Sequence, residues 1–289
     1  MEPIKNRYEF TLFFDVVNGN PNGDPDAGNL PRVDPETSFG IVTDVCIKHK
    51  VRNFVEVCMD DAKGYEILIK PDQALNEKYE EAYAEVGNDK EKKKAKKNDP
   101  VSVKKAQQFM CEKYFDVRTF GAVMSTGDSS CGKVTGPVQF AFAQSVDRVY
   151  PTEITVTRQA VTTVEDMENK ENTLGKKCYI PYGLYRIDGY VSAYLAKKTG
   201  FSEDDLELLW SALINMFEHD HSAARGKMTV RKMFIFKHDS MLGNAPSHIL
   251  FEKIDAIKKN DKEPARSFKD YGIAIDRNMP CGVQLIEKF

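Results

Sequence analysis

The sequence has no apolar run approaching the roughly 20 residues that a membrane-crossing helix needs. It has no CxxC pair either: its six cysteines, Cys46, Cys58, Cys111, Cys131, Cys178 and Cys281, are scattered. That spacing excludes a zinc knuckle and a disulfide framework, and it sets the expectation of reduced, mostly buried thiols. An excess of one charge is also missing, because 41 Lys and Arg face 44 Asp and Glu for a net charge of -3. A uniformly basic nucleic-acid coat is thereby excluded, and any surface for a polyanion must be local. The opening "MEPIKNRYEF" lacks the charged, apolar and small-residue parts of a signal peptide. A cytoplasmic protein with no membrane partner is expected. No internal repeat is present.

What is there fits a globular chain of 289 residues with 41% hydrophobic residues, either one elaborated domain or two small ones. "YEFTLFFDVV" (8–17) reads as a central strand. Thr43 is placed to cap a helix running through Cys58, with Ile47, Val51, Phe54, Val55 and Cys58 on one face and Lys48 and Arg52 on another. "YEILI" (65–69), "FDVRTFGAVM" (115–124) and "VTGPVQFAF" (134–142) read as further strands. Residues 153–180 look like a hairpin with a polar tip. Two helices are expected next. The first carries Ile187, Tyr190, Val191, Tyr194 and Leu195 on one stripe and stops at Gly200; the second opens on Ser202 and Asp205 as a capping-box variant. "MTVRKMFIF" (228–236) is a strand, and "YGIAIDRNMPCGVQLI" reads as two strands around a turn. The order is an α+β pattern compatible with a split βαβ sheet.

Four stretches carry possible chemistry. In "DVVNGNPNGDPDAG" (15–28), Asn18, Asn20 and Asn22 stand at the first, third and fifth positions of a calcium loop, with Gly23 at the sixth. The two anchoring carboxylates of such a loop are absent, since its first and twelfth positions are Asn18 and Asn29. Asp15, Asp24 and Asp26 are candidates for a two-metal site only if the fold makes them converge. Alternating Asn and Gly favour left-handed turns, whose amides can coordinate phosphate or cap the next element; a plain turn is the other reading.

"GDSSCGKV" (127–134) misses the phosphate-binding P-loop by one residue, because Val134 stands where a hydroxyl should bind magnesium and a strand follows instead of a helix. The loop can still offer Lys133 and amides to a nucleic-acid backbone. "EHDHSAARGKM" (218–228) has the adjacent His219 and Asp220 of metal-dependent phosphohydrolases without further spaced ligands, and offers Arg225 and Lys227 to phosphates or ion pairs. "RTFGAV" (118–123) partly matches the basic, aromatic, glycine, apolar strand of an RNA-recognition fold. Finally, eight lysines between Lys90 and Lys105 face only Glu91 and Asp99, the one strong positive patch of the sequence.

Together, "FDVVNGNPNGDPDAGNLPRVDPETSFGIVTDVCIKHKVRNF", "DVRTFGAVM", "LGKKCYIPYGLY" and "HSAARGKM" resemble the backbone subunit of type I-C CRISPR effectors, of the Cas-seven family and Csd-two type. The resemblance runs over nearly the whole chain. It implies one elaborated domain over 1–289: a modified RNA-recognition (ferredoxin-like) palm, a lysine-rich helical finger over 71–113 and a β-hairpin thumb over 152–180. It implies a multicopy, non-enzymatic subunit that stacks into a helical filament along CRISPR RNA, with the thumb flipping out one nucleotide in every six. Guide bases are then left open for target DNA. The implied partners are CRISPR RNA, further copies of the chain, the target DNA strand and the other Cascade subunits (Cas-five type, large and small). No cofactor or metal is implied.

By position, RNA contacts are expected from Asn18, Asn20, Asn22, Lys48, Arg52, Arg118, Lys133, Arg158, Arg225 and Lys227. Such contacts fit a binder that is indifferent to guide sequence, because they leave base edges free. Related type III backbone proteins cleave target RNA with a palm-loop aspartate. A metal-dependent endoribonuclease using Asp24, Asp26 or Asp34 is therefore the alternative.

Overall fold

The computed structural model describes residues 2–60, 62–71, 73–87, 99–126, 129–158 and 173–289. The elements in chain order are β1 (Tyr8–Gly19), β2 (Gly23–Asp24), β3 (Leu30–Pro31), β4 (Phe39–Val42), α1 (Asp44–Met59), α2 (Leu75–Gly87), α3 (Pro100–Lys113) and α4 (Phe115–Phe120). Then come β5 (Gly121–Met124), β6 (Gly132–Thr135), β7 (Val138–Phe140), β8 (Ala143–Arg148), β9 (Thr152–Arg158), β10 (Thr173–Val191), α5 (Ala193–Thr199) and α6 (Glu203–Asn215). The chain continues through β11 (Lys227–His238), α7 (Ser247–Phe251), β12 (Ile254–Lys258), β13 (Tyr271–Ile275) and β14 (Val283–Glu287). The fold is mixed α/β around one large antiparallel sheet of order β14-β11-β1-β10-β8-β4.

β1 is central because its apolar run suits burial on both faces, and every residue from Tyr8 to Val16 is buried. Successive side chains alternate between the faces. Phe10, Leu12, Phe14 and Val16 pack under Ile47, Val51 and Val55 of α1 and Leu206, Leu209 and Leu213 of α6. The Phe10 ring meets Trp210 edge-on at 5.2 Å, and Phe14 stacks on Tyr185 at 5.3 Å. The opposite face is also covered: Phe13, Phe234 and Phe236 lie beneath Leu250, Ile254 and Tyr271 from α7, β12 and β13. That cover is latched at its start by His238. The Nδ1 of His238 accepts from the Asn244 amide (2.8 Å), so its Nε2–H donates to buried Glu9 (2.6 Å), which Arg7 and Ser247 also reach.

A separate core holds α2, α3 and the β5–β6 pair together through Tyr79, Ala82, Tyr83, Ala106, Met110, Met124 and Cys131. The helices α2 and α3 fall within 71–113; residues 88–98, with most of the lysine run, lie outside the described residues. β9 and the start of β10 form the arms of the expected hairpin, in register from Thr152↔Tyr179 to Arg158↔Thr173. The tip and the Arg158 side chain lie outside the described residues, as do Gly127 and Asp128.

Several local expectations are corrected. Phe115–Phe120 is a helix with all six residues buried, and only Gly121–Met124 is strand. "YEILI" contributes one bridge, Glu66 to Tyr114, and no strand. Gly136 and Pro137 break Val134–Phe142 into two strands. Ile187 to Val191 belong to β10, so the helix before Gly200 is only Ala193–Thr199. β13 and β14 do not pair with each other: β13 pairs with β12 and β14 with β11. Of the six free cysteines only Cys111 and Cys131 are buried. Thr43 caps α1 and Ser202 with Asp205 forms a full capping box on α6, as the sequence indicates.

Candidate nucleic-acid interface

At one end of the sheet Asn18, one residue before the end of β1, turns left-handed at φ 52°. The next residue must be glycine: a Cβ on Gly19 would lie 1.9 Å from the Arg225 carbonyl oxygen. Gly226, at φ 60°, returns the close approach, with its Cβ position 2.4 Å from the Asn18 oxygen. The Asn20 amide donates to the Ala224 carbonyl at 2.8 Å. Loop 18–20 and loop 224–226 are therefore held backbone to backbone.

The three asparagines have separate roles. Asn18 is exposed. Asn20 is buried and donates through Nδ2 to the Asn29 carbonyl at 2.7 Å. Asn22 accepts at Oδ1 from both the amide and the hydroxyl of Thr43, each at 3.0 Å, while Thr43 accepts from the Cys46 amide. Asn22 thus ties the loop to the start of α1, and of the three only Asn18 stands open to a ligand.

Beneath the loops lies an ion cluster that the sequence reading missed. Asp220 takes the ammonium of Lys50 at 2.5 Å and the guanidinium of Arg225 at 2.8 Å. Lys50 is buried, and that burial pushes its ammonium down from the ordinary lysine value, against the hydrogen bond and charge of Asp220. The signal was in the helix periodicity, because Lys50 follows Ile47 by three residues and so stands on the apolar stripe. Asp220 is thus committed to two cations, and the neighbouring His219 packs near the Phe54 ring at 6.3 Å. Arg225 keeps Nη2 without a described partner. Lys227 opens β11 opposite Val17, exposed and paired with no described carboxylate. Exposed Asn18 and Lys227 therefore form one group with half-buried Arg225.

The other expected contacts fall elsewhere. Lys133 is exposed on β6, a separate hairpin whose Lys133 carbonyl accepts from Gln107 of α3. Lys48 and Arg52 are not a free basic face. Lys48 pairs with Asp44 at 2.8 Å, Arg52 with buried Asp116 at 2.9 Å, and both lie over the Phe120 ring. Arg118 is corrected outright as a contact residue. It is 4% exposed, pairs with Asp205 through Nε (3.0 Å) and Nη2 (2.7 Å), and donates to the carbonyls of Cys111 and Gly64. Four of its five N–H donors are committed within the fold, and its burial keeps it from a phosphate.

The aspartates are likewise employed in the turns. Asp24 accepts from the Asp26 amide and pairs with Arg32 at 3.4 Å, and Asp34 accepts from the amides of Glu36 and Thr37. Those two amide hydrogen bonds hold the Asp34 carboxyl below its ordinary value. Asp15 is buried between Arg231 and the Tyr182 hydroxyl. Among the described residues no group of three or more His, Cys, Asp or Glu side chains is placed to hold a metal ion.

The family described as "CRISPR-associated protein Cas7" matches residues 6–276. The chain belongs to the Cas7 family. Among curated proteins it is similar to "CRISPR-associated protein Cas7" of Haloferax volcanii, at 28% identity over 232 residues that cover 73% of this chain. It spans 65% of that relative's length. Two solved structures are also similar in their chain course. One is titled "CRISPR RNA-guided surveillance complex, pre-nicking" (14% identity, TM-score 0.49, 80% of this chain and 78% of that one). The other is titled "CRISPR RNA-guided surveillance complex" (16% identity, TM-score 0.44, 80% and 68%). Within this Cas7 chain the Asn18–Arg225–Lys227 group adjoins the base of the β9–β10 hairpin, since Gly19 pairs with Ile180 and Val17 with Tyr182. The hairpin arms expose Ile154, Val156 and Leu174, and Gly175 opposite Val156 leaves that side chain uncovered.

Proposed function

We propose that this Cas7 chain is the multicopy backbone subunit of a type I-C CRISPR surveillance complex. It binds CRISPR RNA along the phosphate-sugar chain regardless of sequence, stacks into a helical filament with further copies, and presents guide bases to target DNA beside the Cas-five type, large and small subunits. It works in the cytoplasm and has no catalytic role of its own. Among the described residues no helix is long and apolar enough to cross a membrane. The palm reading is supported by the strand order β11-β1-β10-β8, with α1 after β1 and α6 after β10, which is the order of a split βαβ sheet.

The observation that carries the proposal is the sealing of both sheet faces while Asn18 and Lys227 stay exposed at the sheet end beside half-buried Arg225. An open RNA-recognition sheet stacks bases on its own aromatics. Here the rings that the sheet carries on one face, Phe13 and Phe234, are fully buried. RNA is left with backbone-directed groups on the loops, which position a strand without reading it. In this arrangement the hairpin of one copy reaches along the strand toward the next.

Light scattering of the protein with a full-length CRISPR RNA at low salt should show a particle of many copies, and a chain that stays monomeric on the guide would overturn the filament. Lys133→Glu with Lys227→Glu should weaken binding equally across guide sequences. The slope of log K against log salt should fall by about 0.7 for each phosphate contact removed. A loss confined to particular sequences would contradict this reading.

A further inference from the structure

On the other side of the hairpin base lies a cavity of about 520 Å³. Its wall carries Tyr150, which is 68% exposed, and the Tyr182 and Tyr271 rings, stacked at 6.5 Å. Its rim carries Arg148, Lys258, Lys262 and Arg266 together with the carboxylates of Asp261 and Glu263. Asp147 is already engaged by the Tyr271 hydroxyl (2.8 Å) and by Lys258 (3.5 Å). Arg148 and Arg266 are exposed, and no described carboxylate pairs with either. An exposed aromatic face beside guanidinium groups in no direct ion pair is the chemistry that binds single-stranded nucleic acid, ring on ring with cations on the backbone. The volume lies within the range of pockets that enclose a group of nucleotide size.

The cavity also joins the interface described above. Tyr182 on its wall is the register partner of Val17, and Val17 is paired on its other side with Lys227. Paired residues of neighbouring strands have Cα atoms about 5 Å apart. Lys227 of the interface and Tyr182 of the cavity wall therefore flank the same residue, Val17, at the hairpin base.

We propose that this cavity is a base-binding subsite, in which one nucleobase of the bound RNA stacks on Tyr150 while its flanking phosphates lie on Arg148 and Arg266. The subsite rests on the reading of the chain as an RNA-binding subunit. Stacking of this kind is indifferent to base identity, because every base presents a π face.

The test is photocrosslinking of the full chain to single-stranded RNA containing 4-thiouridine, with the crosslinked peptide identified by mass spectrometry. The crosslink is expected in the peptide bearing Tyr150. Tyr150→Ala should raise the Kd for the same RNA about tenfold, while Tyr150→Phe, which keeps the ring, should bind as the parent does. Arg148→Ala with Arg266→Ala should flatten the salt dependence. Tyr150 and both arginines are exposed, so the fold does not depend on them. RNA that binds with crosslinks only elsewhere, and with Tyr150→Ala equal to the parent, overturns the subsite and leaves the RNA-binding reading standing. A parent chain that binds no RNA overturns both.

Discussion

Asp205→Ala is expected to remove about 3–5 kcal/mol of stability, the cost of leaving a buried charge without its partner. The stranded charge is Arg118, which is buried with its planar fork on the Asp205 carboxylate and two further donors on the carbonyls of Cys111 and Gly64. Asp205 also closes the capping box of α6, accepting from the amide and the hydroxyl of Ser202. One substitution therefore unties α4, the residue 64 turn and α6 together. Ser202→Ala, which removes only the cap hydroxyl, should cost about 1 kcal/mol. Replacing both members of the pair with apolar residues, Arg118→Met with Asp205→Leu, should recover only part of the loss, because the carbonyls of Cys111 and Gly64 and the Ser202 groups lose their partners. Urea unfolding checks the ranking through the transition midpoints, provided the slopes agree. An Asp205→Ala midpoint close to that of Ser202→Ala would show that the ion pair contributes little.

Gly19→Ala is expected to have the largest effect on the interface. The added carbon would lie 1.9 Å from the Arg225 oxygen and 2.5 Å from the carbon that bears it. Both are backbone atoms, so no rotamer change relieves the clash and the two loops must part. Parting breaks the hydrogen bond from the Asn20 amide to the Ala224 carbonyl and moves Arg225 and Lys227 away from Asn18. Overpacking of this kind costs about 1–3 kcal/mol. The loss in RNA affinity should be at least about tenfold, because phosphate contacts work only when held in one arrangement. Circular dichroism reports whether the variant folds, and fluorescence anisotropy with labelled RNA reports affinity. A folded Gly19→Ala chain with undiminished affinity would show that the two loops do not act as one surface.

Sequence signals were reliable where the cause of structure is local. Thr43 and the Ser202/Asp205 pair mark helix starts with side chains that bond to amides within three residues. Gly200 marks a stop because only a residue at ease at φ 84° can take that position. β1 was legible from its density of aromatic and branched residues. The failures share the opposite cause. Ile187 and Val191 are four apart, a separation that suits a helix face and equally one face of a strand. β1 across the sheet decided for the strand, through Ile187↔Leu12 and Val191↔Tyr8. "FDVRTF" has the branched and aromatic composition of a strand, yet it is helical because Asp116 and Arg118 must reach Arg52 and Asp205, partners that the local sequence does not display.

The candidate site divides in the same way. The loop was legible from its Asn and Gly residues, and Lys227 from its place at a strand start. Lys48, Arg52 and Arg118 read as surface cations only because their carboxylates, Asp44, Asp116 and Asp205, could not be assigned to them without the fold. The Lys50–Asp220–Arg225 cluster joins residues from α1 and from the loop before β11, and the cavity at Tyr150 joins β8, β10 and the segment between β12 and β13. Neither arrangement has a signature within a single stretch of sequence.

The register of β1 also sets the order in which the protein can be made. Tyr8 pairs with Val191 on one side and Lys237 on the other, partners about 180 and 230 residues downstream, the kind of non-local pairing that slows folding. During synthesis at roughly 5–20 residues per second, this central strand leaves the ribosome tens of seconds before its second neighbour exists. Until then "YEFTLFF" is an unpaired segment of high β-propensity. Its protection in that interval falls to whatever binds nascent chains, and the yield of folded subunit depends on that waiting time as well as on the stability of the finished sheet.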